Sequence, residues 1–521
     1  MAAGATGDGG IDHHGKTLTY VTIGNRLGNA QEAASARRQP AAHPKNTMKL
    51  TKKLLKAVMW LGLALAGLLI VAYLVLVGIN WRDQPPSQAA TRLMKLSASQ
   101  SARQLAIADQ DNAYVYMMGF SADPAQEPQA LGVKRIALAQ AALQKNPVDS
   151  PKDVFDKEHD FKPQRSADLQ ALLKTCSTAV DAPCLKALNS GDKTLADWLT
   201  SEPLLLERYK ALLTRTAYVQ RLPFQMNTPF PPYLKVQEGQ KLLLVQAWQL
   251  AAQGDAAGVN KLLTQDISFW RQNLAASDSL ITKMLASRAV QRNFVWGHAI
   301  LRRLPPALMT QGLPQQWRAP MSDAERAMLP SLTGEWRVSN SIFQHAKAGG
   351  TTALPEMNGT LNNRLFTSIF KSLLQPQDSS NKFAERLTAS DAALQVPYAQ
   401  YPAAVARAQS LWDIKAEESE FLFFARRLYN PVGEFFLTFA SWDPIWYAVR
   451  LSDLEGLRRM AVLSTELRSQ RAAAGDMAQK LAEAPARNPY TGQPFVWDAS
   501  TKTVVFTGLE KGERGRHALF Y

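Results

Sequence analysis

Twenty-three consecutive residues without a charge, Ala57 to Ile79 (AVMWLGLALAGLLIVAYLVLVGI), constrain this chain more than any other feature of it. At about 1.5 Å of rise per residue, a helix of that length crosses roughly 30 Å of hydrocarbon. A core helix of a water-soluble domain is apolar along one stripe, whereas this run is apolar on every side. Trp60 and Trp81 stand near its two ends, where amphipathic rings favour the headgroup region.

The flanks set an orientation. Arg37, Arg38, Lys45, Lys49, Lys52, Lys53 and Lys56 precede the run, against Arg82, Arg92 and Lys95 within a similar distance after it. The positive-inside rule therefore puts the N-terminus in the cytoplasm and the rest of the chain on the far side, as a signal anchor. The competing reading is a cleaved signal peptide, but the run exceeds a typical h-region and no small-x-small site precedes Asn80, Trp81 and Arg82.

Residues 1–56 carry nine Lys or Arg against three Asp or Glu and lack a hydrophobic period, so they are expected to be a disordered basic cytoplasmic tail. Met48 opens MKLTKKLLK, which has the form of a basic n-region, and translation is expected to be able to start there. Gly10 to Thr17 (GIDHHGKT) fits the phosphate-loop spacing letter for letter. That loop works only between a buried strand and a helix N-terminus, and MAAGATGDG cannot supply the strand.

The tail accounts for +6 of the net charge of +15, and the remainder is spread over a long chain with no basic block. Nucleic-acid binders concentrate Lys and Arg on one face to neutralise phosphates, so no nucleic-acid partner is expected.

Beyond the membrane, residues 80–90 read as a stalk stiffened by Pro85-Pro86, and the folded part begins at residue 91. Between Val236 and Leu304 the helical signal is strong. Ala256, Val259, Leu263, Ile267, Trp270 and Leu274 recur in steps of three and four, Gly254 ends the preceding helix, and Asp255 is placed to cap the next. A third helix follows from Asp278 to about Leu304, which implies antiparallel neighbours as in one unit of a tetratricopeptide-like array, though no second copy occurs at a fixed period.

The capping-box spacing of Ser322 and Glu325 predicts a helix from Ser322 to His345. Residues 346–382 read as a flexible segment around a short amphipathic piece from Leu361 to Leu373, taken as closing the core rather than lying on the membrane. In residues 383–521 the sequence predicts helices at Asp413–Tyr429 and Asp453–Gln470. Turn chemistry at Arg487 to Pro494 follows, then two strands, Phe495–Trp497 and Thr503–Thr507, forming a hairpin that must pack on helices. The fold class is thus mainly α: one transmembrane helix at 57–79, a multi-helix ectodomain of antiparallel hairpins (91–345 and 383–521), and a small C-terminal β-hairpin.

Cys176 and Cys184 close a short loop on the external side and read as a disulfide worth roughly 2 to 3 kcal/mol. Zinc is disfavoured, because neither a histidine nor a second cysteine pair lies at ligand spacing.

Three Ser-x-x-Lys strings, at Ser190, Ser368 and Ser379, lack the Lys-Thr-Gly strand of serine acyltransferases. His159, His298, His345 and His517 sit outside any H-E-x-x-H or G-x-S-x-G pattern, so catalytic residues, cofactor and metal are all expected to be none. Phe421 to Tyr447 holds ten aromatic residues and is read as core, with a partner groove as the alternative.

The strings NAYVYMMGFSADP, NPVGEFFL, LSDLEGLRRMAVLSTELR and NPYTGQPFVWD together resemble a family of uncharacterised bacterial membrane-anchored proteins with a helical periplasmic ectodomain. The resemblance implies a Gram-negative inner membrane with the ectodomain in the periplasm, and no known activity. NPYTGQPF also resembles the C-terminal turn of secretion pseudopilins, from which Pro85-Pro86 and the length of the chain depart. The resulting expectation is a scaffold or interaction protein of the envelope, with an envelope protein as partner. The alternative is an envelope enzyme, a hydrolase or transferase, whose site is assembled from distant residues.

Overall fold

The computed structural model describes residues 47–145, 165–176, 180–225, 227–348, 368, 370–412, 427–439 and 444–521. The expected tail up to residue 46 lies outside them, as do His159 and residues 349–367. The chain divides into two units, Met1–Ile70 and Val71–Tyr521.

The first described helix is Thr47–Ile79. Among the described residues it is the one helix long and apolar enough to cross a membrane, and its Lys52–Ile79 part carries that property. Leu54 to Val71 expose their side chains on all sides, which water would penalise and lipid would not.

Within the second unit, the helices Tyr233–Ala252, Ala256–Ala276 and Leu280–Arg303 pack on one another in sequence order. The expected apolar face of the middle helix is buried from Ala256 to Leu274. Gly254 takes φ +77°, a left-handed turn that a side chain would strain, and Asp255 Oδ1 accepts the Gly258 N–H at 2.8 Å.

Inside this bundle Asp266 is fully buried yet fully served. It accepts from Tyr209 Oη at 2.5 Å, Gln240 Nε2 at 2.9 Å and Asn293 Nδ2 at 2.8 Å, while Trp270 Nε1 donates to Tyr209 Oη at 2.7 Å. A buried carboxylate with a full set of donors is a structural tie.

The Ser322–Glu325 capping box is present, with Ser322 N–H on Glu325 Oε2 at 2.6 Å and Glu325 N–H on Ser322 Oγ at 3.3 Å. It opens only one turn, Asp323–Arg326, and the long helix starts afresh as Leu329–Ala348. Pro330 is the reason. It fits a first turn, but deep inside a helix begun at residue 323 it would remove a hydrogen bond and clash.

Helix Leu280–Arg303 also packs against Ile445–Ser469 and Leu329–Ala348, and Pro376–Leu394 packs on Leu329–Ala348 and Gln88–Ala106. Ile445–Ser469 is longer than the expected 453–470 because it starts directly after Pro444. Of the expected helix 413–429, residues 413–426 lie outside the described residues, and Arg427 to Asn430 are not helical. One continuous apolar core runs from Ala90 to Leu519, so the stretches before and after residues 346–382 share it.

The C-terminal element is a three-stranded antiparallel sheet, with Thr503–Thr507 between Val496–Asp498 and Arg516–Phe520. The hairpin is where the sequence predicts it. The third strand, RHALF, has no β-branched residue and gives little strand signal. As expected of so small a sheet, it leans on a helix: Phe506 packs where a Cβ on Gly456 would sit, and Asp453 Oδ1 accepts from Tyr490 Oη at 2.7 Å.

Candidate functional site

Two places in the second unit combine buried polar groups in ways that core packing alone does not require. The first begins at Asn80, directly after the apolar helix, and is buried. Its Nδ2 donates to the carbonyls of Leu76 and Leu428, each at 2.8 Å. Its Oδ1 accepts the Asn430 N–H at 2.6 Å, and its own carbonyl accepts from Gln375 Nε2.

Asn430 continues the network. It holds φ +53°, a left-handed conformation that asparagine tolerates better than most residues. Its Oδ1 accepts the N–H groups of Gln375 at 2.8 Å and Gly433 at 3.0 Å, and its Nδ2 donates to Asp378 Oδ2 at 2.7 Å and Ser379 Oγ at 3.0 Å. Gly433 is required here, because a Cβ would fall 2.1 Å from Ser379 Oγ.

A third fastening comes from Asp83. Helix Pro376–Leu394 has no side-chain cap from its own flank. Instead Asp83 caps it from nearly three hundred residues away, Oδ2 accepting the Gln377 N–H at 2.7 Å and Oδ1 the Asp378 N–H at 3.0 Å. Asn381 then clasps the following segment, donating to the Pro85 carbonyl at 2.8 Å and accepting the Ser87 N–H at 2.9 Å. Residues 80–87, expected as a stalk, are thus pinned along this helix.

Lys382 closes the periphery with Asp378 at 2.8 Å and Glu434 at 2.6 Å. Burial opposes its charge, but the two carboxylates outweigh that and lift its pKa above the usual lysine value. The arrangement is a clamp: it offers no exposed nucleophile or base, and it fixes the exit of the apolar helix to the folded unit.

The second place is Asp278, in the turn between helices Ala256–Ala276 and Leu280–Arg303. It is 1% exposed, and neither carboxylate oxygen meets a hydrogen-bonding group of another described residue. Burial raises its pKa to about 6, against the pull of Arg103 and Arg337. Tyr114 Oη, also buried, has no partner among the described residues, and its pKa is raised by burial and then by Tyr233 and Asp278. Beside them the hydroxyls of Tyr218 and Tyr233 lie 3.2 Å apart and share Thr282 Oγ1 at 2.9 and 3.3 Å. Unlike Asp266, Asp278 is held by the fold without being satisfied by it, and such a group can take up or release a proton near pH 6.

The residues singled out in the sequence fall elsewhere. Cys176 and Cys184 are bonded and buried, with Cα atoms 4.9 Å apart. In two Ser-x-x-Lys strings the lysine is engaged by carboxylates: Lys193 binds Asp197 at 2.7 Å, and Lys382 is held as above. In the third, Lys371 donates to the Ala348 carbonyl at 3.1 Å. His298 is buried and held neutral, its pKa pushed down to about 3 by burial and by Arg302 and Arg468. Among the described residues no group of three or more His, Cys, Asp or Glu is placed to hold a metal.

Of the aromatic stretch, Phe421, Phe423, Phe424 and Trp442 lie outside the described residues. Trp446 and Tyr447 line a groove of about 600 Å³ with Arg450, Glu510, Lys511 and Arg514. Lys511 Nζ stands 4.7 Å from the centre of the Trp446 ring, and Arg450 binds Glu510 at 2.8 Å.

No family model, no curated protein and no solved structure matches this chain.

Sequence reading missed Asn80, Asp83, Asn430 and Asp278. Asn430-Pro431 carries a usable signal, since asparagine before proline is a helix-start pattern. Asp278 has none, because an orphaned carboxylate is a property of its surroundings.

Proposed function

We propose that this chain is a membrane-anchored interaction protein of the bacterial cell envelope. In this reading the apolar helix lies in the inner membrane, the N-terminus is cytoplasmic and the folded unit stands in the periplasm. The observation that carries it is the clamp: Asn80, Asn430 and Asp83 fasten the residues directly after the apolar helix to the folded unit, so no free linker separates that unit from its anchor. An enzyme acting on diffusing substrates gains little from that. A protein that must meet a second envelope component at a fixed place gains specificity and a smaller ordering cost on binding.

The groove under Trp446 and Tyr447 is the surface best suited to such a partner. Aromatic anchors ringed by arginine, lysine and glutamate match the composition of interface centres and rims. Affinity purification of the full-length protein from envelope extract is expected to recover one protein partner stoichiometrically, and the Trp446→Ala/Lys511→Ala variant is expected to lose it. Failure to recover any stoichiometric partner, together with turnover of peptidoglycan or lipid substrates by the purified protein, would reject the reading.

The second reading is an envelope enzyme, and Asp278 is the observation that favours it. A buried carboxyl group titrating near pH 6, within electrostatic reach of the Tyr114 and Tyr233 hydroxyls, is suited to general acid or base work. The same turnover assay decides for it.

A further inference from the structure

We propose that the base of the folded unit is seated within the adjacent bilayer leaflet, with Leu428 and the Pro431–Phe439 helix against lipid acyl chains. The inference rests on the uncharged run Ala57–Ile79 spanning the membrane and goes beyond it, since a single-pass anchor alone would leave the folded unit in water.

Its first support is the covered face of the apolar helix. Tyr73, Leu76 and Val77 are partly covered and Asn80 is buried, at steps of three and four, while Leu74, Val75 and Ile79 between them remain exposed. Tyr73 Oη lies 2.7 Å from Ser372 Oγ, and Asn80 Nδ2 reaches the Leu428 carbonyl at 2.8 Å. Ser372 and Leu428 therefore stand level with the last two turns of the helix.

The second is length. The sixteen residues from Ala57 to Ala72 rise about 24 Å, short of the roughly 30 Å of hydrocarbon. About four more residues are needed, which carries the span to Leu76. Whatever covers Tyr73 then lies roughly 5 Å below the hydrocarbon surface.

The third is how the neighbouring chain is built. Irregular backbone is tolerated at membrane depth only where its polar groups are satisfied within the protein. In the non-helical residues 427–430 two such groups are met by one side chain: Leu428 O and Asn430 N are both served by Asn80. The Pro431–Phe439 helix (PVGEFFLTF) carries one charge, Glu434, which is paired with Lys382 at 2.6 Å and Arg427 at 3.7 Å. Phe435 and Phe436 of that helix are half-buried, and Leu428 just before it is 48% exposed and Trp81, next to Asn80, 76% exposed. Arg82 and Lys371 are exposed nearby in sequence, with the charge that headgroups attract.

Spin labels on the full-length protein in lipid nanodiscs test the proposal. Cys176 and Cys184 are bonded to each other, so single cysteines at Leu428, Phe435, Leu68 or Gln479 label alone. Leu428 and Phe435 are expected to share the severalfold preference for oxygen over a water-soluble nickel chelate shown by Leu68 in the span, whereas exposed Gln479 shows the reverse. If Leu428 and Phe435 behave like Gln479 while Leu68 stays oxygen-favoured, the base stands in water, Lys52 and Lys53 begin the span, and the proposal is wrong. If Leu68 is also open to nickel, the span itself is rejected. Should Phe435→Cys fail to fold, Leu428→Cys decides alone, because its side chain is nearly half exposed.

Discussion

Asn430→Ala is expected to destabilise the folded unit by roughly 3 to 5 kcal/mol. The substitution removes four hydrogen bonds and leaves Asp378 short of one donor and the Gln375 and Gly433 N–H groups short of their acceptor, all in a buried setting. It also forces alanine to φ +53°, which costs about 1 kcal/mol by itself. Asn430→Gly separates the two contributions, since glycine accepts the backbone angle without replacing the amide. Thermal unfolding in detergent should place glycine between wild type and alanine, closer to alanine. A melting temperature unchanged in both variants would mean that the clamp contributes nothing, and the proposal of a linker-free attachment would lose its basis.

Asp278→Asn is expected to do the opposite. The folded carboxyl titrates near pH 6 against about 3.9 in the unfolded chain, so the native state binds the proton more tightly. Stability therefore falls as pH rises from about 4 to 6, and the full penalty, roughly 2 to 3 kcal/mol, is present at pH 7.5. Asparagine carries no charge to desolvate. The variant should melt several degrees higher than wild type at pH 7.5, match it at pH 4, and lose the pH dependence between. A fold that retains a destabilising acid where a neutral amide would fit is the pattern expected of a group kept for use. Equal melting temperatures at both pH values would remove the case for a functional acid.

What the sequence makes legible follows from locality. The apolar helix, the Gly254–Asp255 turn, the capping box at Ser322 and the hairpin at 496–507 each rest on residues within a few positions of one another, and each is present. The restart at Leu329 follows from Pro330, an equally local signal that the long period around it hides.

The clamp joins residues some three hundred positions apart. Asp83 looks like an ordinary polar residue beside two prolines until helix Pro376–Leu394 arrives with two uncapped N–H groups. The same limit applies to Asp278. Asp266 and Asp278 differ little as letters in a helical sequence, and only the packed surroundings supply one with three donors and leave the other without any from its neighbours. Local pattern thus reveals elements, and long-range satisfaction of polar groups reveals sites.

The central claim is that one apolar helix holds the chain in the membrane and leaves the clamped helical unit on the far side. Fusing alkaline phosphatase, and separately a fluorescent protein that folds only in the cytoplasm, after Tyr521 tests it most directly. The account predicts an active phosphatase and a dark fluorescent fusion, whereas an inactive phosphatase with a bright fluorescent fusion would contradict the topology and the compartment together.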